Sequence, residues 1–169
     1  VEEALKKEKI LFASYAVTNK NNTVLYEHYG TQDLSRELPP TNKTRYRIAS
    51  MSKAVTTLGA LKLFDRGELK LDALAKEYFP ELGEVKVAKL ENDKVTYEDL
   101  NSDITINQLL THTSGFGYDF HDPVLSHLVL NEEISSLTSK DGSQLNAPLV
   151  YQPGTRWEYG ISLGWIGKI

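Results

Sequence analysis

Cysteine is absent from the 169 residues. Disulfide frameworks, thiolate catalysis and cysteine-based zinc sites are thereby excluded. The absence leaves the compartment open, because many secreted proteins also lack cysteine. Basic charge is in short supply too: 19 Lys and Arg face 23 Asp and Glu, for a net charge of −4. A nucleic-acid binder usually shows a basic patch or stripe, so nucleic acid is not an expected partner. Nor does the charge favour an anionic membrane surface. No apolar run approaches the roughly 20 residues that span a bilayer, so no transmembrane segment is expected. Val1 to Lys9 lacks the basic start and apolar stretch of a signal peptide, which points weakly to the cytoplasm. The chain begins at Val1 rather than Met, as it would if an upstream segment had been removed.

What is present is an ordinary globular balance, 40% hydrophobic and 25% charged, enough for one domain with its own core over residues 1–169. Glu2 to Lys9 reads as a short helix. Ile10 to Thr18 and Thr23 to Tyr29 read as strands joined by the turn cluster Asn19-Lys20-Asn21-Asn22, an antiparallel hairpin. Thr31 to Thr44 is a polar connection broken by Pro39-Pro40, and Arg45 to Ile48 a short extended piece. From Ser50 to Asp65 the period turns helical. Val55, Leu58, Leu61 and Phe64, with Ala54 and Leu63, predict a broad buried face, and Gly67 a C-terminal stop. Leu69 to Tyr78 is mixed. Glu81 to Asn101 reads as a charged surface excursion. Asp103 or Thr105 is placed to cap a short helix through Gln108 to Leu110 that ends near Gly115. A further helix is expected around Pro123 to Asn131. Pro153-Gly154 marks a turn, with Thr155 leading into a final helix. Trp165, Ile166 and Ile169 lie at helical spacing with no cap or tail after them, so the chain reads as a fragment that stops in mid-helix.

Three short segments carry the chemistry. Ser50-Met51-Ser52-Lys53 matches S-x-x-K, a pattern expected about once by chance in a chain of this length. The bland alternative makes Ser50 a helix cap and Lys53 a solvated lysine. The context is more specific, because the pair opens a strongly apolar helix. Residues three apart share a face, so Lys53 can reach the Ser50 hydroxyl. A serine hydroxyl needs a neighbouring base, and burial at a helix N-terminus pushes a lysine toward the neutral form. The Ser50 N–H is placed to meet a developing oxyanion. The second segment, Leu110-Thr111-His112-Thr113-Ser114-Gly115, reads as a helix end with His112 hydrogen-bonded in the core. The third runs Pro153-Gly154-Thr155-Arg156-Trp157-Glu158-Tyr159-Gly160. There the Tyr159 phenol can relay the serine proton if nearby positive charge, such as that of Lys53, lowers its pKa. His112, Asp119, His121, Asp122 and His127 match no defensible zinc pattern, and no metal or organic cofactor is expected.

Taken in order, Arg47 to Lys53, Leu110 to Gly115 and Pro153 to Tyr159 resemble the serine β-lactamase (class C) and penicillin-binding-protein-like family, in particular its esterase-like branch. The resemblance implies an α+β fold, an antiparallel sheet flanked by helices, with the C-terminal part of that fold absent here. It implies catalytic Ser50, Lys53 and Tyr159. It implies a small-molecule ester, amide or lactam substrate that is attacked to form an acyl-serine. Two departures stand out. The family's Tyr-x-Asn has Ile161 at its third position, which favours simple esters or acyl transfer over lactams, with Ser162 as a conceivable substitute. The family's downstream Lys-Thr-Gly-like or His-x-Gly-like strand lies beyond the chain. The alternatives are a catalytically retired scaffold or binding protein of the same family, or an unrelated domain in which Ser50 and Tyr159 lie far apart. Residues 1–169 alone are expected to fold poorly and to be inactive. A cooperative thermal transition together with turnover of an activated ester would refute that.

Overall fold

The computed structural model describes residues 2–33, 35, 38–139 and 141–169. The chain divides into two compact units, one up to Ile48 and one from Ala49 onward.

In the first unit, helix α1 (Glu2–Lys7) has acidic residues in its first turn and lysines in its last, the arrangement that complements the helix dipole. Its Leu5 is buried. Strands β1 (Phe12–Thr18) and β2 (Thr23–Gly30) form the expected antiparallel hairpin, with Phe12 opposite Gly30 and Val17 opposite Leu25. Asn19 makes the turn. Its Oδ1 accepts the N–H groups of Asn21 and Asn22 at 2.9 and 2.8 Å, the local side-chain bonding that suits asparagine to turns. The short extended piece expected at Arg45 to Ile48 joins no sheet among the described residues. Tyr46 is instead held by its side chain, through a hydroxyl bond to Ser14 Oγ and a ring 5.6 Å from that of Phe12. Of the polar connection Thr31 to Thr44, residues 34, 36 and 37 lie outside the described residues.

The second unit opens with a 3₁₀ turn, Ala49–Met51, that runs into helix α2 (Ser52–Asp65). Gly67 stops the helix as expected. It adopts φ +73°, and Glu68 N–H reaches the Leu63 carbonyl at 2.9 Å. The predicted buried face is buried only in part in residues 1–169. Val55, Leu58, Leu61 and Phe64 are exposed, while Ala60 is buried and Leu63 packs on the core. Apolar residues occupy much of the helix circumference, so their spacing alone does not choose the side that packs.

The stretch from Glu81 to Asn101, expected as a charged surface excursion, contains an ordered hairpin. Strands β3 (Val87–Glu91) and β4 (Lys94–Glu98) pair antiparallel, and Asn92 and Asp93 both take positive φ. That is the two-residue turn whose twist suits a hairpin. Two neighbouring buried residues, Val87 and Ala88, hide the alternation that marks a strand. Val87 also bridges Leu149.

Helix α3 (Ile106–Leu110) is capped by Thr105, one of the two expected candidates, in a reciprocal capping box with Gln108. The other candidate, Asp103, pairs with Lys76 at 2.7 Å instead. Helix α4 (Pro123–Leu130) lies where expected, capped by Asp122. Helix α5 (Ser162–Ile166) corrects another expectation. Thr155 does not lead into it, because its hydroxyl donates to the Gln152 carbonyl at 2.7 Å in a turn, and the helix begins seven residues later. Trp165 lies 5.2 Å from Phe79 and 6.4 Å from Phe116, ring to ring, and with Ile106, Leu109, Leu128 and Leu149 it forms the core. Among the described residues no helix is long and apolar enough to cross a membrane.

Thr105→Ala removes one side of the capping box and should cost about 1 kcal/mol of stability. Chemical denaturation of the two proteins would show it as a lowered midpoint at unchanged slope.

Candidate active site

The site is assembled from α2 and two irregular strips of chain, Thr111 to Tyr118 and Leu149 to Ser162. The strips run against each other backbone to backbone. Val150 N–H donates to the Gly115 carbonyl at 2.8 Å, Gly154 N–H to Thr113 at 2.7 Å and Glu158 N–H to His112 at 2.9 Å. Two glycines make the approach possible. A Cβ on Gly115 would stand 2.4 Å from the Tyr151 carbonyl oxygen, and one on Gly160 would stand 2.2 Å from that of Phe116. Gly115, expected only as a helix stop, is therefore a contact residue. The helix stop falls at His112.

Ser50 lies in the 3₁₀ turn. Before it, Ala49 takes φ +43°, a left-handed conformation that costs an alanine roughly 1–2 kcal/mol. The N-cap of α2 is Met51, with no side-chain cap bond, so Ser50 is not a helix cap. Its exposed hydroxyl instead accepts a hydrogen bond from Lys53 Nζ at 3.3 Å. Lys53 Nζ also stands 4.8 Å from the ring centre of Tyr159 and 5.5 Å from that of Tyr118. The structure thus brings Ser50, Lys53 and Tyr159 together.

The electrostatics reverse one expectation. Burial pulls the Lys53 pKa down, but hydrogen bonding and charge interaction with the Tyr118 and Tyr159 phenols outweigh it, and the ammonium is held above the ordinary lysine value. The Tyr159 phenol moves the other way. Interaction with the Ser50 hydroxyl lowers its pKa most, and the Lys53 cation adds to that against a smaller opposing effect of burial. The lysine is kept charged and the tyrosine is made the stronger candidate to lose a proton. A neutral Lys53, as expected from its place at the helix start, is not what its neighbours favour.

Tyr118 escaped sequence reasoning. It is buried, stacks on Phe120 and meets Tyr159 edge-on at 5.4 Å. No local pattern marks it, because the lysine that gives it meaning is distant in the chain. Ile161 is buried in the core. Ser162 does not take the place of the missing asparagine, since its fully buried hydroxyl pairs with Ser114 Oγ at 2.9 Å. The scattered acidic residues have structural work. Asp122 caps α4, and Asp119 accepts the Leu137 N–H at 3.2 Å. No group of three or more possible metal ligands occurs among the described residues.

Comparison with known proteins places the chain in a family. The family model described as Beta-lactamase matches residues 1–166. The chain belongs to the beta-lactamase family. Among curated members, monacolin J acid methylbutanoyltransferase of Aspergillus terreus is 35% identical over 143 residues, covering 82% of this chain and 34% of its own length. Esterase EstB of Burkholderia gladioli is 31% identical over 176 residues, covering 99% of this chain and 42% of its own. The chain therefore spans about a third to two fifths of these relatives. Among solved structures, unliganded simvastatin synthase (LovD) from Aspergillus terreus superposes with a TM-score of 0.82 at 30% identity, over 99% of this chain and 45% of that one. A class C beta lactamase, at TM-score 0.64 and 22% identity, shares the fold. The α+β, β-lactamase/transpeptidase-like architecture is thus the one adopted.

Removing the cation beside Tyr159 should raise the phenol's pKa. Below that pKa the phenol keeps its proton, so a higher pKa means less phenolate at any given pH. In the complete protein that carries this sequence, Lys53→Met should shift the tyrosinate absorbance contributed by Tyr159, isolated by subtracting Tyr159→Phe, to higher pH. An unchanged or lowered midpoint would show that Lys53 does not set it.

Proposed function

We propose that this sequence carries the nucleophile-bearing part of an acyl-serine enzyme that transfers an acyl group from an ester-like donor to a small alcohol or to water. The observation that carries this reading is the Ser50 hydroxyl. It lies within hydrogen-bond reach of a charged lysine and beside a phenol whose pKa its surroundings depress. The names of the relatives, an acyltransferase and an esterase, support the same reaction class.

In this reading Tyr159, as phenolate, takes the Ser50 proton while Oγ bonds to the donor's carbonyl carbon. Lys53 stays protonated and stabilises the phenolate beforehand. The backbone N–H of Ser50 offers one hydrogen bond to the developing oxyanion. Collapse expels the donor's alkoxide, which receives the proton held by Tyr159, and leaves the acyl group on Oγ. The acceptor alcohol or water then gives its proton to Tyr159 and attacks the acyl carbon; collapse breaks the acyl–Oγ bond, the departing Ser50 Oγ takes that proton from Tyr159, and a new ester or an acid is released. Ile161 sits where the family's asparagine holds a substrate amide, which favours simple esters over lactams. Residues 1–169 alone, a minor part of the relatives' length, are proposed not to turn over.

The test is intact mass of the complete protein after exposure to a fluorophosphonate, beside Ser50→Ala. One phosphonyl addition that disappears in the variant supports the reading. No addition on a folded protein sinks it and favours a retired scaffold with Ile161 as its mark.

A further inference from the structure

Helix α3 closes in an unusual way for its sequence. Thr113 N–H donates to the Gln108 carbonyl at 3.0 Å, and between them His112 takes the left-handed position at φ +58°. Glycine is the usual occupant of that position, because a side chain there crowds the backbone. The chain places an imidazole at a site where having no side chain would be cheaper. The strip carrying Tyr159 gives a reason.

His112 holds that strip on both sides of Tyr159. Its carbonyl accepts the Glu158 N–H at 2.9 Å, and its ring Nδ1 accepts the Gly160 N–H at 3.3 Å. The ring also lies against the Tyr159 ring at 4.8 Å and meets Trp157 edge-on at 6.3 Å. Any residue supplies the carbonyl. The Gly160 bond needs a side-chain acceptor, and it fixes the imidazole as neutral with its hydrogen on Nε2. We propose that His112 is a positioning residue, whose unprotonated Nδ1 pins the Gly160 peptide and so holds the Tyr159 phenol against Ser50 and Lys53. The proposal rests on the acyl-serine reading above.

The surroundings keep the ring in that form. Burial lowers its pKa below the ordinary histidine value of 6.5, and the Lys53 ammonium on α2 adds to the effect. The other ionisable groups about it are the phenols of Tyr159 and Tyr151, the latter donating to the His112 carbonyl at 3.2 Å, and Glu158, which is paired with Arg156. Protonation puts a hydrogen on Nδ1, where a lone pair is required, and the Gly160 bond is lost. Activity should therefore fall with the binding of a single proton by Tyr159 as pH drops. Below the His112 pKa it should fall more steeply, as a second proton binds.

The experiment uses the complete protein and two variants, read by melting temperature and by the rate of Ser50 phosphonylation as a function of pH. His112→Gly relieves the left-handed strain and keeps the Glu158 bond, but removes the acceptor. It should stay folded and react on the order of 10- to 100-fold more slowly. His112→Asn tolerates the left-handed conformation and restores an acceptor. It should recover most of the rate and lose the steep acid limb. If folded His112→Gly reacts at the wild-type rate, or if His112→Asn keeps the acid limb, the inference is overturned. If His112→Gly does not fold, the rate and acid limb of His112→Asn decide. Failure of the acyl-serine reading is separate and shows as wild-type protein that takes up no label at Ser50.

Discussion

Everything at the site depends on two stretches of backbone that lie closer together than side chains permit. Gly115 and Gly160 each present bare backbone to a carbonyl oxygen of the opposing strip. The resulting contact carries a row of main-chain hydrogen bonds without belonging to either β-hairpin. Tyr159 is positioned by this contact from one direction. Ser50 and Lys53 are positioned from the other, by the 3₁₀ turn and first turn of α2. A pair of buried serine hydroxyls, on Ser114 and Ser162, fastens the far end of the same contact. The site is thus a meeting of irregular segments held by backbone geometry, with a helix supplying the nucleophile.

That geometry decides how charge is shared. A lysine at the start of a helix would by itself tend toward neutrality. Two phenols facing it reverse the outcome and keep it an ammonium, and the same cation makes one of those phenols easier to ionise. Neither residue's state follows from its own position. Both follow from the pair, and the pair exists only because the strips bring Tyr118 and Tyr159 over α2.

The sequence was informative where the physics is local. The Asn19 turn, the Gly67 stop, the Thr105 cap and helix α4 each rest on interactions spanning a few residues, and each lies where its pattern pointed. It was uninformative where tertiary packing chooses among equals. Of the α2 face, Leu63 meets the core, while Val55, Leu58, Leu61 and Phe64 stay exposed in a chain that spans less than half the length of its relatives. The hairpin at Val87 to Glu98 was missed because neighbouring buried residues broke the alternation. Ser50, Lys53 and Tyr159 were legible only as an ordered set of motifs. Tyr118 and the double hold of His112 on the Tyr159 strip were not legible at all, since each has its meaning in a partner far along the chain.

The burial of Ile161 has a consequence for how such a protein could change its substrate. Its side chain belongs to the core that includes Phe116, Leu125 and Trp165. Installing an asparagine there would place an amide among apolar neighbours, where an unpaired polar group is costly. The adjacent position offers no alternative route, because Gly160 has no room for any side chain. A polar side chain at either position would therefore need a rearrangement of the strip itself. The packing acts as a ratchet on this position, whatever acyl donor the site takes.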